Sequence, residues 1–298
     1  MKLEFDSLVR RLVHAARGLA FVFWIYFLPV AARDLIAWRI PGATLPSAFG
    51  GGPPGPALAL GGAALVLGAL VVILYTRRSP GGAEPTRLLR ADGRFARDLG
   101  LGLGLGGVAA TLVVLGMLAR GVAHWQGVSP SLAGGPGAFL GLALLLAVQS
   151  AHEELGFRGP GLRELTRAAS FPLAALFLAG SFALLHAANP AMSARGALGI
   201  LLAGAALAGL VRRTGDLALA IGAHMGWNVA LGQIWGAPVS GFTLSPRLFD
   251  VAYDGAVRWT GGAFGAEASL PGIVILGAAA LLAWGRPPSR IGPDDAPS

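Results

Sequence analysis

The sequence predicts an all-α fold: a polytopic membrane helix bundle of about eight transmembrane helices, with both termini in the cytoplasm. Three observations predict it. Of 298 residues, 54% are hydrophobic and only 13% charged, with a mean hydropathy of +0.65. An ordinary soluble domain has roughly a quarter of its residues charged. Cutting the chain at every Asp, Glu, Lys and Arg, and trimming at the Gly/Pro run that ends at Pro54 and at His152, leaves six long uncharged windows: Gly55–Thr76, Leu99–Ala119, Gly121–Ala151, Ala168–Ala194, Leu217–Pro246 and Ala268–Gly285. Each can supply the about 20 apolar residues that a spanning helix needs. Two shorter windows, Gly18–Ala32 and Gly196–Val211, reach spanning length when Arg17, Arg33, Arg195 and Arg212 snorkel to the interfaces. Finally, Lys and Arg in alternate inter-span segments divide 17 to 6. By the positive-inside rule the rich segments, including both ends of the chain, face the cytoplasm.

The net charge of +8 and pI near 11.2 would suggest nucleic acid for a soluble protein. Here the basic residues sit between spans, so the expected partner is membrane lipid and no nucleic acid.

Residues 1–136 hold helices one to three and their connecting loops. Met1 to Gly18 carries four basic and two acidic residues, and no small-residue cleavage signature follows the aromatic run from Phe21 to Phe27. The first helix therefore reads as retained rather than as a cleaved signal peptide. Gly50–Pro54, Ser79–Gly82, Gly134–Gly137 and Arg286–Pro288 are Pro/Gly loops. Every window reads as helix, because in lipid the backbone must satisfy its own hydrogen bonds, and no barrel pattern is visible. The Gly-rich stretch Leu101–Gly107 would be a poor helix in water but allows close helix packing in a membrane. Residues 137–235 hold helices four to seven. Residues 236–285 hold an outer loop and helix eight; between Ala237 and Glu267, Phe242, Phe249, Tyr253 and Trp259 leave room for an interfacial helix. The Pro-rich tail, 286–298, reads as disordered. The absence of cysteine excludes disulfides, thiolate metal sites and a cysteine nucleophile. A single lysine amid abundant Ala, Gly, Arg and Pro points to a GC-rich genome, hence to a bacterial cytoplasmic (inner) membrane.

Ionisable residues at membrane depth are functional candidates by default. The fourth window runs into Gln149-Ser150-Ala151-His152-Glu153-Glu154-Leu155-Gly156-Phe157-Arg158, the fifth contains Phe182 and His186, and the seventh contains His224 and Asn228. Glu154 and Arg158 stand four apart with the acid first, the favourable order for an ion pair on one helix face. Glu153 points about 100° away, which frees its carboxylate for another partner. Each piece also has a plain reading. Glu153, Glu154 and Arg158 could be a solvated helix end, His186 a hydrogen-bonded core residue, and His224 with Asn228 an interhelical contact. Phe182, Trp227 and Trp235 read as packing or interface anchors, and His14 and His124 receive no role.

Together the three pieces resemble the CAAX-protease and bacteriocin-processing family of intramembrane proteases, whose signature is Glu-Glu-x-x-x-Arg, Phe-x-x-x-His and His-x-x-x-Asn/Asp. This chain has them in order at Glu153–Arg158, Phe182–His186 and His224–Asn228. The resemblance covers about residues 137–235 and implies an eight-helix hydrolase acting on a membrane-anchored protein or peptide. In the reaction it implies, Glu153 is the general base that deprotonates water and His186 holds the same water and shuttles the proton. His224 and Asn228 donate to the oxyanion, while Glu154, Arg158 and Phe182 support them. No cofactor is favoured. A zinc held by Glu153, His186 and His224 is the competing form, although Gly156 stands where a His-Glu-x-x-His motif would place its second His. Two other function classes remain: a proton-coupled transporter, and a catalytically idle membrane scaffold or immunity protein. For the three motifs to meet, helix four must run on through Arg158 to about Leu165 despite Gly159-Pro160-Gly161, and helix five must tilt or kink, for instance at Gly180-Ser181.

Overall fold

The computed structural model describes residues 6–23, Leu70 and 93–285. The second predicted span, most of the first, the loops at 50–54 and 79–82, and the tail lie outside these residues. Within them the chain is mostly helical: α1 (residues 6–23), α2 (Gly93–Ala119), α3 (Gly135–Arg158), α4 (Pro160–Ala168), α5 (Phe171–Leu185), α6 (Ala194–Thr214), α7 (Ala218–Asn228), α8 (Val257–Thr260) and α9 (Leu270–Trp284). Four helical stretches are long and apolar enough to cross a membrane: Gly93–Ala119, Pro130–Ala168, Phe171–Ala188 and Ala194–Thr214; Leu270–Trp284 is a shorter apolar helix. This is an integral membrane protein.

The fold also holds a short antiparallel ribbon that the all-α reading did not include. β1 (His124–Val128) pairs with β2 (Phe249–Ala252), with an irregularity between Trp125 and Gly127. The rule that forbids open strands applies within hydrocarbon. These segments lie in the connections between apolar helices, where aromatic and β-branched residues can pair as strands. No long interfacial helix forms between Ala237 and Glu267; that stretch contains β2, the one-turn α8 and two short 3-10 turns.

The tightest helix pair is α2 with α7, and glycine makes it possible. A Cβ on Gly106 would lie 1.9 Å from Ala223 O, and one on Gly102 would lie 2.3 Å from Leu219 O. On the facing helix, a Cβ on Gly222 would lie 2.1 Å from Leu99 O and one on Gly226 would lie 2.2 Å from Leu103 O. Two small-residue stripes at four-residue spacing thus bring backbone against backbone. This contact fixes α7, which carries His224 and Asn228.

Helix four does run on past Arg158, but in two pieces. Gly159 (φ −78, ψ −134) separates α3 from α4, and a Cβ there would meet Leu155 O at 2.3 Å. Pro160 then opens α4 at a position where a missing N–H costs nothing. The expected kink at Gly180-Ser181 is absent: α5 is continuous from Phe171 to Leu185, and Ser181 Oγ donates back to Phe177 O at 2.9 Å. His186 instead follows the helix end, as the first residue of a 3-10 turn. On α7 the α-helix gives way at Asn228 to a π-turn, Val229–Ile234.

The two histidines without a predicted role have partners. His14 Nδ1 lies 2.6 Å from the buried Glu164 Oε2, tying α1 to α4, and His124 Nε2 lies 3.3 Å from Asp254 Oδ1 at the exposed end of the ribbon. Among the remaining buried polar groups, Glu267 is 2% exposed. Its Oε1 accepts from Ser240 N and Ser240 Oγ, both at 3.2 Å. Its Oε2 has no donor among the described residues. Burial pushes this carboxyl up to about 7.

Two outcomes follow from these contacts. Gly106→Ala must push α2 and α7 apart, so it should lower the thermal midpoint of the purified protein by the equivalent of about 1–3 kcal/mol. Gly104→Ala, with nothing within 4 Å of its Cβ, should be neutral. For Glu267 the folded protein holds the proton more tightly than the unfolded chain. Its contribution is fully present below the ordinary carboxyl range and lost as pH rises through about 7. Melting curves between pH 5 and pH 8 should lose up to about 3 kcal/mol through this group, and Glu267→Gln should flatten that dependence; an unaltered slope in the variant excludes Glu267 as its source.

Candidate active site

The site assembles from three helices. α3 brings Glu153, Glu154 and Arg158; the end of α5 brings Phe182 and His186; α7 brings His224 and Asn228. The expected ion pair is present, with Arg158 Nη1 donating to Glu154 Oε1 at 3.1 Å. Both partners are buried, Glu154 at 0% and Arg158 at 2% exposure. A second guanidinium nitrogen, Nη2, donates to Gly204 O on α6 at 3.3 Å.

Glu154 does more than hold its own helix. The same Oε1 accepts from His224 Nδ1 at 2.9 Å, which joins α3 to α7 across the bundle. Spacing along the chain did not reveal this contact, because nothing in a sequence fixes the rotation of one helix against another. With Nδ1 turned to Glu154, His224 Nε2 faces Glu153 Oε2 at 3.6 Å. That is within reach of ion-pair attraction and too long for a hydrogen bond. The adjacent carboxylates therefore split as helical geometry requires: Glu154 is sealed, whereas the Glu153 side chain keeps 19% of its surface exposed.

Phe182 sits at the centre of these groups. Its ring is 4.5 Å from the His186 ring, 6.2 Å from that of His224 and 5.0 Å from that of Phe157, each edge to face. The Arg158 guanidinium carbon lies 4.6 Å from the Phe182 ring centre, a cation–π contact in a dry environment. Phe182 is 3% exposed, so the packing role read from the sequence and its place in the motif coincide. His186 Nδ1 donates to Phe182 O at 2.7 Å. The acceptor is a carbonyl, so the proton is on Nδ1, and Nε2 of the neutral ring carries a lone pair.

Asn228 Nδ2 reaches Ser150 Oγ at 3.5 Å. Ser150 is fully buried and lies one turn before Glu154, as Gln149 lies one turn before Glu153. Gln149 Nε2 donates to Glu153 Oε1. Neither residue stood out in the sequence beyond being polar next to the double carboxylate. Trp227, beside Asn228, is buried in the core, and Trp235 Nε1 donates to Thr111 Oγ1 at 3.1 Å; both act as anchors.

Among the described residues, no three His, Asp or Glu side chains form a ligand set for a metal ion. His224 Nδ1 is engaged by Glu154, and His186 Nδ1 by a carbonyl. Nε2 of each ring is therefore the nitrogen left for the site.

No curated protein and no solved structure matches the chain. A family model does: residues 135–230, a third of the chain, match the type II CAAX prenyl endopeptidase Rce1-like family. The matched segment runs from the first residue of α3 into the π-turn after α7 and carries every motif residue described above. That family is described as one of endopeptidases. Residues 135–230 are thus similar to the Rce1-like family, within an integral membrane protein.

Proposed function

We propose that the protein is an intramembrane endopeptidase that hydrolyses a peptide bond of a membrane-anchored protein or peptide with water activated by Glu153. One observation carries this reading: of two adjacent carboxylates, one is buried as a structural anchor, and the other is left accessible opposite an imidazole on a different helix. A structural pair needs no second, partly exposed acid.

In this reaction Glu153 takes a proton from water as the water attacks the scissile carbonyl. His186, with Nδ1–H tied to Phe182 O, offers Nε2 to the same water, then accepts the proton from Glu153 on Nε2 and passes it to the leaving amine, which restores the Glu153 carboxylate and the neutral ring. Asn228 donates to the developing oxyanion through its amide. His224 can donate from Nε2 only when its ring carries both protons, and the flanking carboxylates of Glu153 and Glu154 supply the countercharge for that form. Each oxyanion donor of this kind contributes about 3–4 kcal/mol to transition-state stabilisation. Chain orientation follows the positive-inside expectation, with both ends and the α3–α4 connection cytoplasmic, and the host membrane is the bacterial cytoplasmic one.

Cleavage of a labelled, membrane-anchored peptide by the purified protein tests the assignment. Glu153→Gln and His186→Ala should each lower kcat by about 100- to 10,000-fold, and turnover within twofold of wild type in both would overturn it. Activity should survive exhaustive chelation; loss of activity with restoration by zinc alone would replace the metal-free mechanism with the zinc form. Glu154→Gln acts differently, because it leaves the Arg158 guanidinium buried without its countercharge. It should lower stability by about 3–5 kcal/mol, which a thermal melt in detergent reads directly. A melt unchanged from wild type would remove Glu154 as the structural anchor.

A further inference from the structure

The site begins one helical turn before the carboxylates. Phe139 to Val148 is an unbroken apolar stretch of α3, and Gln149 is the first side chain after it able to form several hydrogen bonds. Residues four apart share a helix face, so Gln149 stands over Glu153 and Ser150 stands over Glu154. Both contacts are made on the site side: Gln149 Nε2 donates to Glu153 Oε1, and Ser150 Oγ meets Asn228 Nδ2 at 3.5 Å. An amide inside an apolar span is costly unless its hydrogen bonds are satisfied. This one takes as its acceptor the accessible carboxylate rather than a backbone carbonyl.

We propose that Gln149 is a positioning residue for Glu153. The proposal rests on Glu153 being the general base. Glu153 has two oxygens with different surroundings. Oε1 is held by Gln149 along the helix, and Oε2 faces His224 Nε2 at 3.6 Å. A glutamate side chain alone has three rotatable torsions and would sample several rotamers in a partly exposed site. Tying Oε1 with a charge-assisted hydrogen bond removes most of that freedom. It presents Oε2 to the space between α3 and α7, where the water must be deprotonated. Gln149 touches neither substrate nor water in this role; it acts through Glu153.

The test uses the full-length protein in lipid nanodiscs with a labelled membrane-anchored peptide. Gln149→Met keeps length and shape and removes the donor, whereas Gln149→Lys restores an N–H donor on a stem of similar reach. Loss of positioning predicts a kcat for Gln149→Met about 10- to 100-fold below wild type, with KM within about twofold because ground-state binding is untouched. Its thermal midpoint should stay within about 4 °C of wild type, and Gln149→Lys should recover a substantial part of kcat. A kcat for Gln149→Met within twofold of wild type, with Glu153→Gln inactive, overturns the positioning role and leaves the protease reading standing. Turnover retained in Glu153→Gln overturns the base assignment, and this inference with it. A spectroscopic readout is independent of turnover. The infrared difference between wild type and Glu153→Gln isolates the Glu153 carboxylate band. That band should shift in Gln149→Met and return toward its original position in Gln149→Lys; an unmoved band overturns the proposal whatever the protein cleaves.

Discussion

Glu154 Oε1 accepts hydrogen bonds from Arg158 Nη1 at 3.1 Å and from His224 Nδ1 at 2.9 Å, in a place where no water can reach the acid or the guanidinium. Charges removed from water at this depth persist only with a close countercharge and satisfied donors. The guanidinium meets these needs on three sides: Glu154 in line, Gly204 O on α6, and the face of Phe182 from α5. Arg rather than Lys suits this task, because its planar fork donates in several directions while its face stacks on a ring. One ion pair thereby ties α3, α5, α6 and α7 together. It sets the rotation of His224, since only one ring orientation puts Nδ1 on Glu154 and Nε2 toward Glu153.

That electrostatic anchor works only if α7 is held at a fixed height and distance, which is what its contact with α2 provides. Hydrophobic burial gives little drive for helix association in lipid, where the surroundings are as apolar as the helix. Backbone proximity and dispersion must substitute, and four glycines supply them at Gly102, Gly106, Gly222 and Gly226. His224 lies between Gly222 and Gly226 in sequence, so the face that touches α2 and the side chain that reaches α3 alternate along the same turns. The helix is clamped from one side and delivers its imidazole and carboxamide to the other.

Much of this was legible in the sequence, and the unread part has a common cause. Uncharged windows marked the apolar helices, because bilayer thickness and backbone hydrogen bonding leave few alternatives. The Glu154–Arg158 pair could be read because both residues share one helix. Glu154–His224, 70 residues apart, could not be read, nor could Ser150–Asn228, since both depend on how two helices rotate against each other. The kink expected at Gly180-Ser181 followed from treating depth as rise per residue along an unbroken helix. The chain solves the depth problem by breaking at Gly159 and ending α5 at Leu185 instead. Phe182 O then accepts both the backbone N–H and the Nδ1–H of His186, so the ring closes the helix end that carries it. The β1–β2 ribbon was missed because the rule against strands was carried from the lipid into the connecting segments.

Two glutamates side by side with opposite fates show how little machinery the separation of structure from chemistry requires. Consecutive residues on an α-helix diverge by about 100°, so a single helix at the edge of a cavity can place one carboxylate in the packed interior and the next at the opening. The interior acid, Glu154, is committed: its Oε1 is taken by two donors, its Oε2 is sealed from solvent with no donor among the described residues, and its charge is needed by Arg158. The accessible acid, Glu153, has an amide on one oxygen and a 3.6 Å gap to an imidazole on the other. Only the second is open to a reactant. Exchanging their duties would require rotating α3 by a quarter turn or more, which would bring the Arg158 charge out of its cage. The anchor therefore not only supports the site but determines which of the two acids is left accessible, the one proposed as the base.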